Sequence, residues 1–217
     1  MVAAFDPRCL GVYLVADAAS CAPRGLAEVV QAAVRGGVGC VQLREKNLPT
    51  REFVARASML KALLAACPVR VPLIINDRLD VALACGADGV HVGQSDMPPE
   101  VVRRWMPEAI IGLSVESLED AREVAERGLP VDYLGVSPVF ATPTKTDTAP
   151  PLGLDGLATI RGLTRLPLVA IGGIGPGNAA AVLAAGADGL AVVSAICGAE
   201  DPEGAAARLA GLVGARR

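Results

Sequence analysis

Hydroxyl and ammonium side chains concentrate in one stretch of the second half of the chain. Residues 132–136 read as a short buried strand, and the chain then passes through Pro138, Thr142, Thr144 and Lys145 without a regular pattern. Long loops of this kind in compact domains often line binding sites. Because threonine hydroxyls, backbone amides and an ammonium group suit phosphate, the stretch predicts a loop for a phosphorylated ligand. An ordinary solvated surface loop is the alternative.

Cationic and amide side chains suggest a second phosphate site. Gln42, Arg44 and Lys46, joined by Lys145, would form a cationic, hydrogen-bonding wall. Arginine binds phosphate as a planar fork and lysine as a point charge. Three cations are more than a monophosphate needs, so a diphosphate is the expected ligand. The alternative is a surface ion pair of Arg44 or Lys46 with Glu45.

Two aspartates could hold a metal ion among these cations. Asp77 and Asp96 each follow an apolar run. Mg²⁺ typically takes one or two carboxylates together with phosphate oxygens and waters, which predicts a Mg²⁺ site at this pair. The alternative is that each aspartate caps the helix-like segment that follows it. An oxygen site of this kind does not distinguish Mg²⁺ from Mn²⁺.

A glycine-rich segment and a serine predict a separate monophosphate site. Residues 172–175 read Gly-Gly-Ile-Gly, and Val193-Ser194 follows the last apolar run. Glycine lets the backbone approach a ligand closely, and backbone amides at a helix start bind phosphate. With the diphosphate wall, this pattern implies two phosphorylated small-molecule substrates that react with loss of pyrophosphate.

The elements that must position these residues alternate along the whole chain. Continuous apolar runs predict parallel strands buried on both faces, near residues 11–16, 39–44, 72–76, 89–92, 110–114, 132–136, 168–172 and 189–194. Amphipathic segments predict helices over residues 24–35, 51–66, 79–85, 99–105, 118–127, 154–163, 176–185 and 202–213. Pro99 and Pro176 suit first helical turns, and Thr50 and Ser117 suit N-caps.

A repeat supports eight strand–helix units. Residues 85–90 read Cys-Gly-Ala-Asp-Gly-Val and residues 185–190 read Ala-Gly-Ala-Asp-Gly-Leu, with looser versions at 35–39 and 127–132. Glycine suits a helix C-terminus, where the left-handed conformation is common. Eight units in 217 residues predict a (β/α)8 TIM barrel. A doubly wound sheet would usually carry a glycine-rich fingerprint after the first strand, where residues 17–20 read Asp-Ala-Ala-Ser.

The barrel predicts where the polar residues meet. Its active site is built at the C-terminal ends of the strands, and polar residues follow nearly every predicted strand. In a chain that is 52% hydrophobic, this clustering indicates a catalytic or binding mouth. The expected mouth comprises Gln42, Arg44, Glu45, Lys46, Asn47, Asn76, Asp77, Arg78, His91, Gln94, Ser95, Asp96, Ser114, Glu116, Thr142, Thr144, Lys145, Gly172, Gly173, Ile174, Gly175, Val193 and Ser194.

The composition limits the class of protein. We expect residues 1–217 to form a single catalytic domain, because the chain can bury one sizeable core. A net charge of −3 without a basic stripe argues against nucleic acid and anionic membranes as partners. Six cysteines without Cys-x-x-Cys or zinc spacing predict free thiols in a reducing compartment. The absence of a signal peptide and of a membrane-spanning run predicts a cytoplasmic protein.

The motifs run in order over nearly the whole chain. They are Val-Gln-Leu-Arg-Glu-Lys at 41–46, Ile-Asn-Asp at 75–77, Gly-Val-His-Val-Gly-Gln-Ser-Asp at 89–96, Gly-Leu-Ser at 112–114, Pro-Val-Phe-Ala-Thr-Pro-Thr-Lys-Thr-Asp at 138–147, Ile-Gly-Gly-Ile at 171–174 and Val-Ser-Ala-Ile at 193–196. Together they resemble the thiamine phosphate synthase family, also called thiamine-phosphate pyrophosphorylases. The loop at 138–145 is the most specific of these motifs.

The resemblance implies a reaction and a set of roles. The family joins 4-amino-2-methyl-5-(diphosphooxymethyl)pyrimidine to 4-methyl-5-(2-phosphoethyl)thiazole, or its carboxylated tautomer, and releases pyrophosphate (and CO₂ from the tautomer). By resemblance the catalytic residues are Lys145, Ser114 and Arg44. The implied ligands are Gln42, Arg44, Lys46, Asn76 and Lys145 for the diphosphate, Asp77 and Asp96 for Mg²⁺, Ser114 beside the pyrimidine, and Thr142, Thr144, Gly173, Val193 and Ser194 for the thiazole phosphate.

The implied mechanism is dissociative, with a pyrimidine-methyl cation that the thiazole nitrogen attacks. It requires no strong general base, and we expect the single histidine, His91, to be a packed, hydrogen-bonded core residue. The rival functions are a thiazole tautomerase, a catalytically silent phosphate-binding regulator and a sugar epimerase. The first two would not need both aspartates and three cations, and an epimerase would need paired acid–base carboxylates. The sequence leaves open the preferred thiazole tautomer and whether the protein is a homo-oligomer.

Overall fold

Eight parallel strands close into a barrel in the order β1 to β8. The computed structural model describes residues 5–142 and 150–215. The strands are β1 Val12–Ala16, β2 Cys40–Leu43, β3 Leu73–Asn76, β4 Gly89–Val92, β5 Ile110–Val115, β6 Tyr133–Val136, β7 Leu168–Ile171 and β8 Gly189–Val192. The predicted (β/α)8 TIM barrel is confirmed, and each predicted strand lies within two residues of an observed one.

The helices surround the barrel. They are α1 Leu26–Arg35, α2 Thr50–Ala65, α3 Leu79–Cys85, α4 Pro99–Trp105, α5 Leu118–Arg127, α6 Gly153–Leu163, α7 Ala179–Ala184, α8 Ser194–Cys197 and α9 Pro202–Gly214. A 3₁₀ turn at Pro7–Leu10 precedes β1. The four-residue α8 was not predicted from the sequence. None of the described helices has the length and apolar character needed to cross a bilayer.

Two of the predicted helix signals are correct and two are wrong. Pro99 lies in the first turn of α4, and Ser117 forms a capping box with Asp120 at the start of α5. Thr50 is not a cap: it is the first residue of α2, and its hydroxyl accepts a hydrogen bond from Arg78. Pro176 precedes α7 by three residues and lies in the loop after β7.

The core has two parts. Apolar side chains on the outer faces of the strands pack against the helices and form the larger part. A smaller group fills the barrel interior, with Tyr13 and Val15 from β1, Tyr133 from β6 and Val169 from β7 among its members. Because side chains alternate between the two faces of a strand, residues two positions further along these strands line the opening of the barrel.

Three aspartates at the opposite, N-terminal rim hold neighbouring strands together. Asp88, Asp132 and Asp188 immediately precede β4, β6 and β8. The Asp88 backbone donates to the Leu73 carbonyl at 2.9 Å, and its carboxylate accepts from the Leu73 backbone N–H at 2.8 Å. Asp132 makes the same two hydrogen bonds, one from its backbone and one to its carboxylate, with Ile111 of β5. Asp188 does so with Leu168 of β7.

Each of these carboxylates also binds a cation from the helix that precedes the neighbouring strand. Lys61 of α2 donates to Asp88 at 2.6 Å. Arg103 of α4 donates to Asp132 at 2.8 Å, and Arg161 of α6 donates to Asp188 at 2.9 Å. The aspartate of the repeat therefore joins two strands and a helix.

The glycines of the repeat have two roles. Gly86 and Gly128 end α3 and α5 in the left-handed conformation, with φ of 64° and 59°, as the repeat predicted. Gly89 and Gly189 start β4 and β8, where a Cβ atom would collide with the carbonyl oxygens of Ile110 and Leu10. Glycine is therefore required at these strand starts for the close approach of neighbouring backbones.

Replacement of Asp88 by alanine is expected to destabilise the barrel. The change leaves the Leu73 backbone N–H without its acceptor, which costs about 1–3 kcal/mol for a buried donor. The urea midpoint should fall at an unchanged slope. Glu123→Ala is the control, because Glu123 forms an exposed pair with Arg127 and its loss should change stability by less than about 1 kcal/mol. Equal midpoints for the two variants would contradict the role of Asp88.

Candidate active site

A cavity of about 820 Å³ opens at the C-terminal ends of the strands. Of the expected mouth residues that the structure describes, only Glu45, Asn47 and Arg78 do not line it. All of the described residues predicted to be catalytic, to bind substrate or to bind metal do line it. They are Gln42, Arg44, Lys46, Asn76, Asp77, Asp96, Ser114, Thr142, Gly173, Val193 and Ser194. The other two, Thr144 and Lys145, lie outside the described residues.

The cationic side of the cavity is built by β2 and the residues after it. Gln42 is 5% exposed, and Arg44 and Lys46 follow at alternate positions of the extended chain. Glu45 instead forms an ion pair with Arg56 of α2 and accepts from the Ala18 backbone N–H at 3.1 Å. The alternative that Glu45 neutralises Arg44 or Lys46 is therefore wrong, because alternation directs Glu45 away from the cavity.

The acidic side adjoins this wall. Lys46 Nζ donates to Asp77 Oδ2 at 2.6 Å, and Asp96 Oδ2 accepts from the Gly93 backbone N–H at 2.7 Å. Burial, and next the neighbouring Asp77, raise the pKa of Asp96, while the Gly93 N–H and Lys46 act in the opposite direction. The two carboxylates are therefore close enough to interact electrostatically.

Neither aspartate caps the helix that follows. The N-cap positions are Arg78 for α3 and Pro98 for α4, without a side-chain cap in either case. Asp77 has φ of 61°, and it alone among the described non-glycine residues has a positive φ. Left-handed backbone is costly for residues other than glycine, asparagine and aspartate, and such conformations concentrate at functional sites.

The pair Asp77 and Asp96 fits Mg²⁺. Within residues 5–142 and 150–215, no group of three or more His, Cys, Asp and Glu side chains is placed to hold a metal. A structural zinc site would need four protein ligands. Mg²⁺ needs only one or two carboxylates when phosphate and water supply the remaining oxygens. The close approach of two carboxylates beside Lys46 also indicates a place where positive charge is stabilising.

The glycine loop after β7 is held in shape by Asn178. Its Oδ1 accepts from the Gly175 backbone N–H at 2.9 Å, and its Nδ2 donates to the Gly173 carbonyl at 2.9 Å. Gly172 and Gly173 have φ of 105° and 63°. Asn178 was not singled out from the sequence, because its role depends on the shape of the loop that it closes.

The loop after β6 is joined to β7 and to its own far end. Val139 and Phe140 donate to the carbonyls of Ile171 and Gly172 at 2.9 and 3.1 Å. Leu152 and Gly153, at the start of α6, donate to the carbonyls of Pro138 and Val139 at 2.9 and 3.0 Å. We call these paired segments, 138–140 and 152–153, the stem of the loop.

The floor of the cavity contains the only histidine and the only two tyrosines of the chain. His91 is half-buried and lines the cavity, and it hydrogen-bonds to Tyr133 at 3.0 Å and Ser114 at 2.9 Å. Its expected hydrogen bonding is observed, but its expected place in the core is not. Tyr13 and Tyr133 were missed, although a tyrosine within an apolar strand signals a hydroxyl that needs a buried partner.

Comparison with known proteins identifies the family. The family model described as Thiamine monophosphate synthase matches residues 12–196. The chain belongs to this family. It is 64% identical over 207 residues to the thiamine-phosphate synthase of Albidiferax ferrireducens, with 95% of this chain and 93% of that protein covered. It is 52% identical over 202 residues to that of Leptospira biflexa, with 92% and 95% covered.

Solved structures agree with this family. The thiamine phosphate pyrophosphorylase from Pyrococcus furiosus superposes with a TM-score of 0.86 at 41% identity, and 96% of this chain and 98% of that chain are covered. The 3-hexulose-6-phosphate synthase from Salmonella typhimurium superposes with a TM-score of 0.74 at 17% identity, and 95% of this chain and 100% of that chain are covered, which shows the barrel fold alone. The predicted resemblance to thiamine phosphate synthases is confirmed.

Replacement of Asp77 by asparagine tests the acidic pair without straining the backbone. Asparagine tolerates a positive φ, so Asp77→Asn removes the charge while the loop after β3 keeps its shape. We expect coupling activity to fall at least about 100-fold if the carboxylate binds the metal of the diphosphate site. Mn²⁺ binding in the presence of pyrophosphate, followed by electron paramagnetic resonance, should weaken in parallel.

Asp80→Asn is the matched control for this experiment. Asp80 lies three residues further along, on α3, is exposed, and pairs with Arg78, the N-cap residue of that helix. Its replacement should leave both measurements near the values of the unaltered protein. Normal Mn²⁺ affinity in Asp77→Asn would refute the assignment of Asp77 as a metal ligand.

Proposed function

We propose that this protein joins the pyrimidine diphosphate to the thiazole phosphate at this cavity and releases pyrophosphate, giving thiamine phosphate. The observation that carries the proposal is that one cavity is lined by two groups of residues whose chemistry suits phosphate, which we call its two sectors. The cationic and acidic residues after β2, β3 and β4 form one sector, and the loops after β7 and β8 form the other. Two phosphorylated substrates bound in these sectors would meet over the floor of the barrel.

The diphosphate binds in the first sector. Gln42, Arg44, Lys46 and Asn76 provide the amide and cationic contacts, with Lys145 from the loop. Among the described residues, the Arg44 side chain has no hydrogen-bond or ion-pair partner, so its guanidinium is available for a bidentate phosphate contact. Lys46 remains close to Asp77 at the edge of this sector.

Asp77 and Asp96 hold Mg²⁺ beside the diphosphate. When bound, Mg²⁺ supplies charge neutralisation of the phosphate oxygens, which makes pyrophosphate a better leaving group. The close pair of carboxylates and the neighbouring Lys46 support this assignment.

In this reaction pyrophosphate leaves the pyrimidine before the thiazole nitrogen attacks. The bond between the pyrimidine methylene carbon and the diphosphate oxygen breaks, and its electron pair leaves with pyrophosphate. Arg44, Lys46, Lys145 and the Ser114 hydroxyl stabilise the negative charge that develops on that oxygen. The lone pair of the thiazole nitrogen then forms the new C–N bond, and the carboxylated tautomer also loses CO₂.

The thiazole phosphate binds in the second sector. Gly173, Val193 and Ser194 provide its contacts, with Thr142 and Thr144 from the loop after β6. Asn178, which also lines the cavity, holds the backbone of the glycine loop in shape through the Gly175 N–H and the Gly173 carbonyl. Glycine at position 173 permits the positive φ of the loop and the close approach of Phe140 and Ala141.

The setting proposed for this reaction is the cytoplasm, without a nucleic-acid or membrane partner. All six cysteines are free, and three of them are buried thiols, which suits a reducing compartment.

Replacement of Ser194 by alanine is expected to weaken the binding of the thiazole phosphate but not that of the pyrimidine diphosphate. Loss of one hydrogen bond to a charged phosphate costs about 1.5–3 kcal/mol, which corresponds to a rise of about 10- to 100-fold in KM for the thiazole phosphate. The KM for the pyrimidine diphosphate should change little. Ser95→Ala, which alters the cavity on the other side, is the control. An equal rise in both KM values would mean that the second sector is misassigned.

Replacement of Lys145 by alanine is expected to change both the rate and the product. Removal of a charge from the departing pyrophosphate should slow the first step by about 10²–10³-fold. The share of turnovers that end in the pyrimidine alcohol should rise, since the cation survives only while water is kept from it. Lys145→Arg is the matched variant and should retain most of the rate. Single-turnover assays of both products would contradict this role if Lys145→Ala behaved like the unaltered protein.

A further inference from the structure

Five polar side chains form a continuous chain of hydrogen bonds across the floor of the cavity. Gln42 Nε2 donates to the Tyr13 hydroxyl at 2.8 Å, and the hydroxyls of Tyr13 and Tyr133 are 2.8 Å apart. Tyr133 lies 3.0 Å from Nδ1 of His91, whose Nε2 lies 2.9 Å from the Ser114 hydroxyl. We call this set of five residues the floor chain.

The floor chain has a direction. Both tyrosines are fully buried, and burial raises the pKa of each well above its usual value, so both hydroxyls are neutral and each has one proton to donate. Because Tyr13 already accepts from Gln42, we infer that it donates its proton to Tyr133 and that Tyr133 donates to Nδ1 of His91, the arrangement in which each hydroxyl accepts one hydrogen bond and donates one. Burial also raises the pKa of the neighbouring Cys40, which as a neutral thiol is a weak hydrogen-bonding competitor.

This direction determines which nitrogen of His91 carries the proton. If Nδ1 accepts from Tyr133, a neutral imidazole has its proton on Nε2 and donates it to the Ser114 oxygen. The proton of Ser114 is then available to a ligand in the cavity. In the opposite direction, Ser114 would donate to His91 and would present only lone pairs to an anionic ligand.

The strands around His91 are built to hold the ring in place. Gly112 of β5 and Gly135 of β6 occupy strand positions, where glycine weakens a sheet. A Cβ atom on Gly135 would lie 2.7 Å from Cε1 of His91, and one on Gly112 would collide with the Tyr133 and His91 rings. The His91 and Tyr133 rings lie 5.5 Å apart between centroids. The absent side chains therefore create the space that these rings fill.

Ser114 is held from a second direction. Gln94 Nε2 donates to the backbone carbonyl of Ser114 at 2.6 Å. With the backbone held by Gln94 and the hydroxyl oxygen by His91, the remaining freedom of the side chain is the direction of its O–H bond.

We propose that His91 is a positioning residue: a neutral imidazole with its proton on Nε2, which makes Ser114 a hydrogen-bond donor to the oxygen of the departing diphosphate. This inference rests on the proposed function for the identity of that oxygen. A donor that is oriented before the charge develops stabilises the transition state without reorganisation. The floor chain thus transmits the orientation of the Gln42 amide to Ser114 through four hydrogen bonds.

The first test reads the proton position directly. Because the chain contains one histidine, protein labelled with ¹⁵N-histidine gives a single imidazole in long-range ¹H–¹⁵N correlation spectra. We expect, in the full-length protein at neutral pH, one neutral tautomer with the proton on Nε2. A proton on Nδ1, or on both nitrogens, would overturn the proposal.

Two tyrosine variants make this test specific. Tyr133→Phe removes the donor to Nδ1 and should reduce the preference for the Nε2–H tautomer. Tyr13→Phe removes an equally buried hydroxyl one step further from His91 but leaves Tyr133 beside the ring, so it should shift the tautomer less than Tyr133→Phe does. An unchanged tautomer in Tyr133→Phe would show that the floor chain does not control His91.

The second test measures the effect on the reaction. His91→Asn removes the donor to Ser114 and should lower kcat about 10- to 100-fold with little change in either KM. His91→Gln can place an amide N–H near the former Nε2 and should recover most of the loss. Ser114→Ala combined with His91→Asn should be no slower than Ser114→Ala alone, because both changes remove the same donor. Additive losses, or no difference between the asparagine and glutamine variants, would overturn the proposal.

The two tests separate this inference from the proposed function. The tautomer is read without substrate, so an Nδ1–H tautomer in a protein that couples both substrates refutes the inference alone. A protein that fails to couple the two substrates, yet has the expected tautomer, refutes the role at the diphosphate and the proposed function together.

Discussion

The hydrogen bonds that Asp88, Asp132 and Asp188 make to neighbouring strands align the barrel on which the rest of the structure depends. Each aspartate holds both backbone groups of one residue in the preceding strand, and so determines how the two strands are aligned. Since side chains alternate along a strand, a slip of one residue would turn the inward residues outward. The arrangement at the mouth therefore depends on contacts at the opposite rim of the barrel.

The contacts that align the strands and the residues that line the mouth therefore lie at opposite ends of the same strands. In β6, Asp132 anchors the start of the strand, Tyr133 fills the interior and the loop after Val136 reaches the mouth. Apolar side chains dominate the interior, so the hydroxyls of Tyr13 and Tyr133 have few partners besides each other. Buried polar groups need such partners, and here the need is met by a chain that ends at Ser114.

Much of this architecture could be predicted because the signals are local. Continuous apolar runs are sufficient to locate all eight strands, and polar residues after them are sufficient to locate the mouth. The helix α8 escaped prediction because four residues show no helical period. Thr50 was misread as a cap because its hydroxyl is taken by Arg78, which is distant in the sequence. The contact between Tyr13 and Tyr133 joins residues 120 positions apart, and it depends on closure of the whole barrel.

The stem of the loop after β6 has a consequence for how this enzyme family can vary. Backbone hydrogen bonds join residues 138–139 to 152–153, and residues 139–140 also pair with the end of β7. The chain between the two sides of the stem therefore begins and ends at the same point on the barrel. A segment of different length or composition can be exchanged between these anchors without altering strand alignment, because no strand changes its neighbours. Changes of length between these anchors would therefore leave the walls and the floor of the cavity in place.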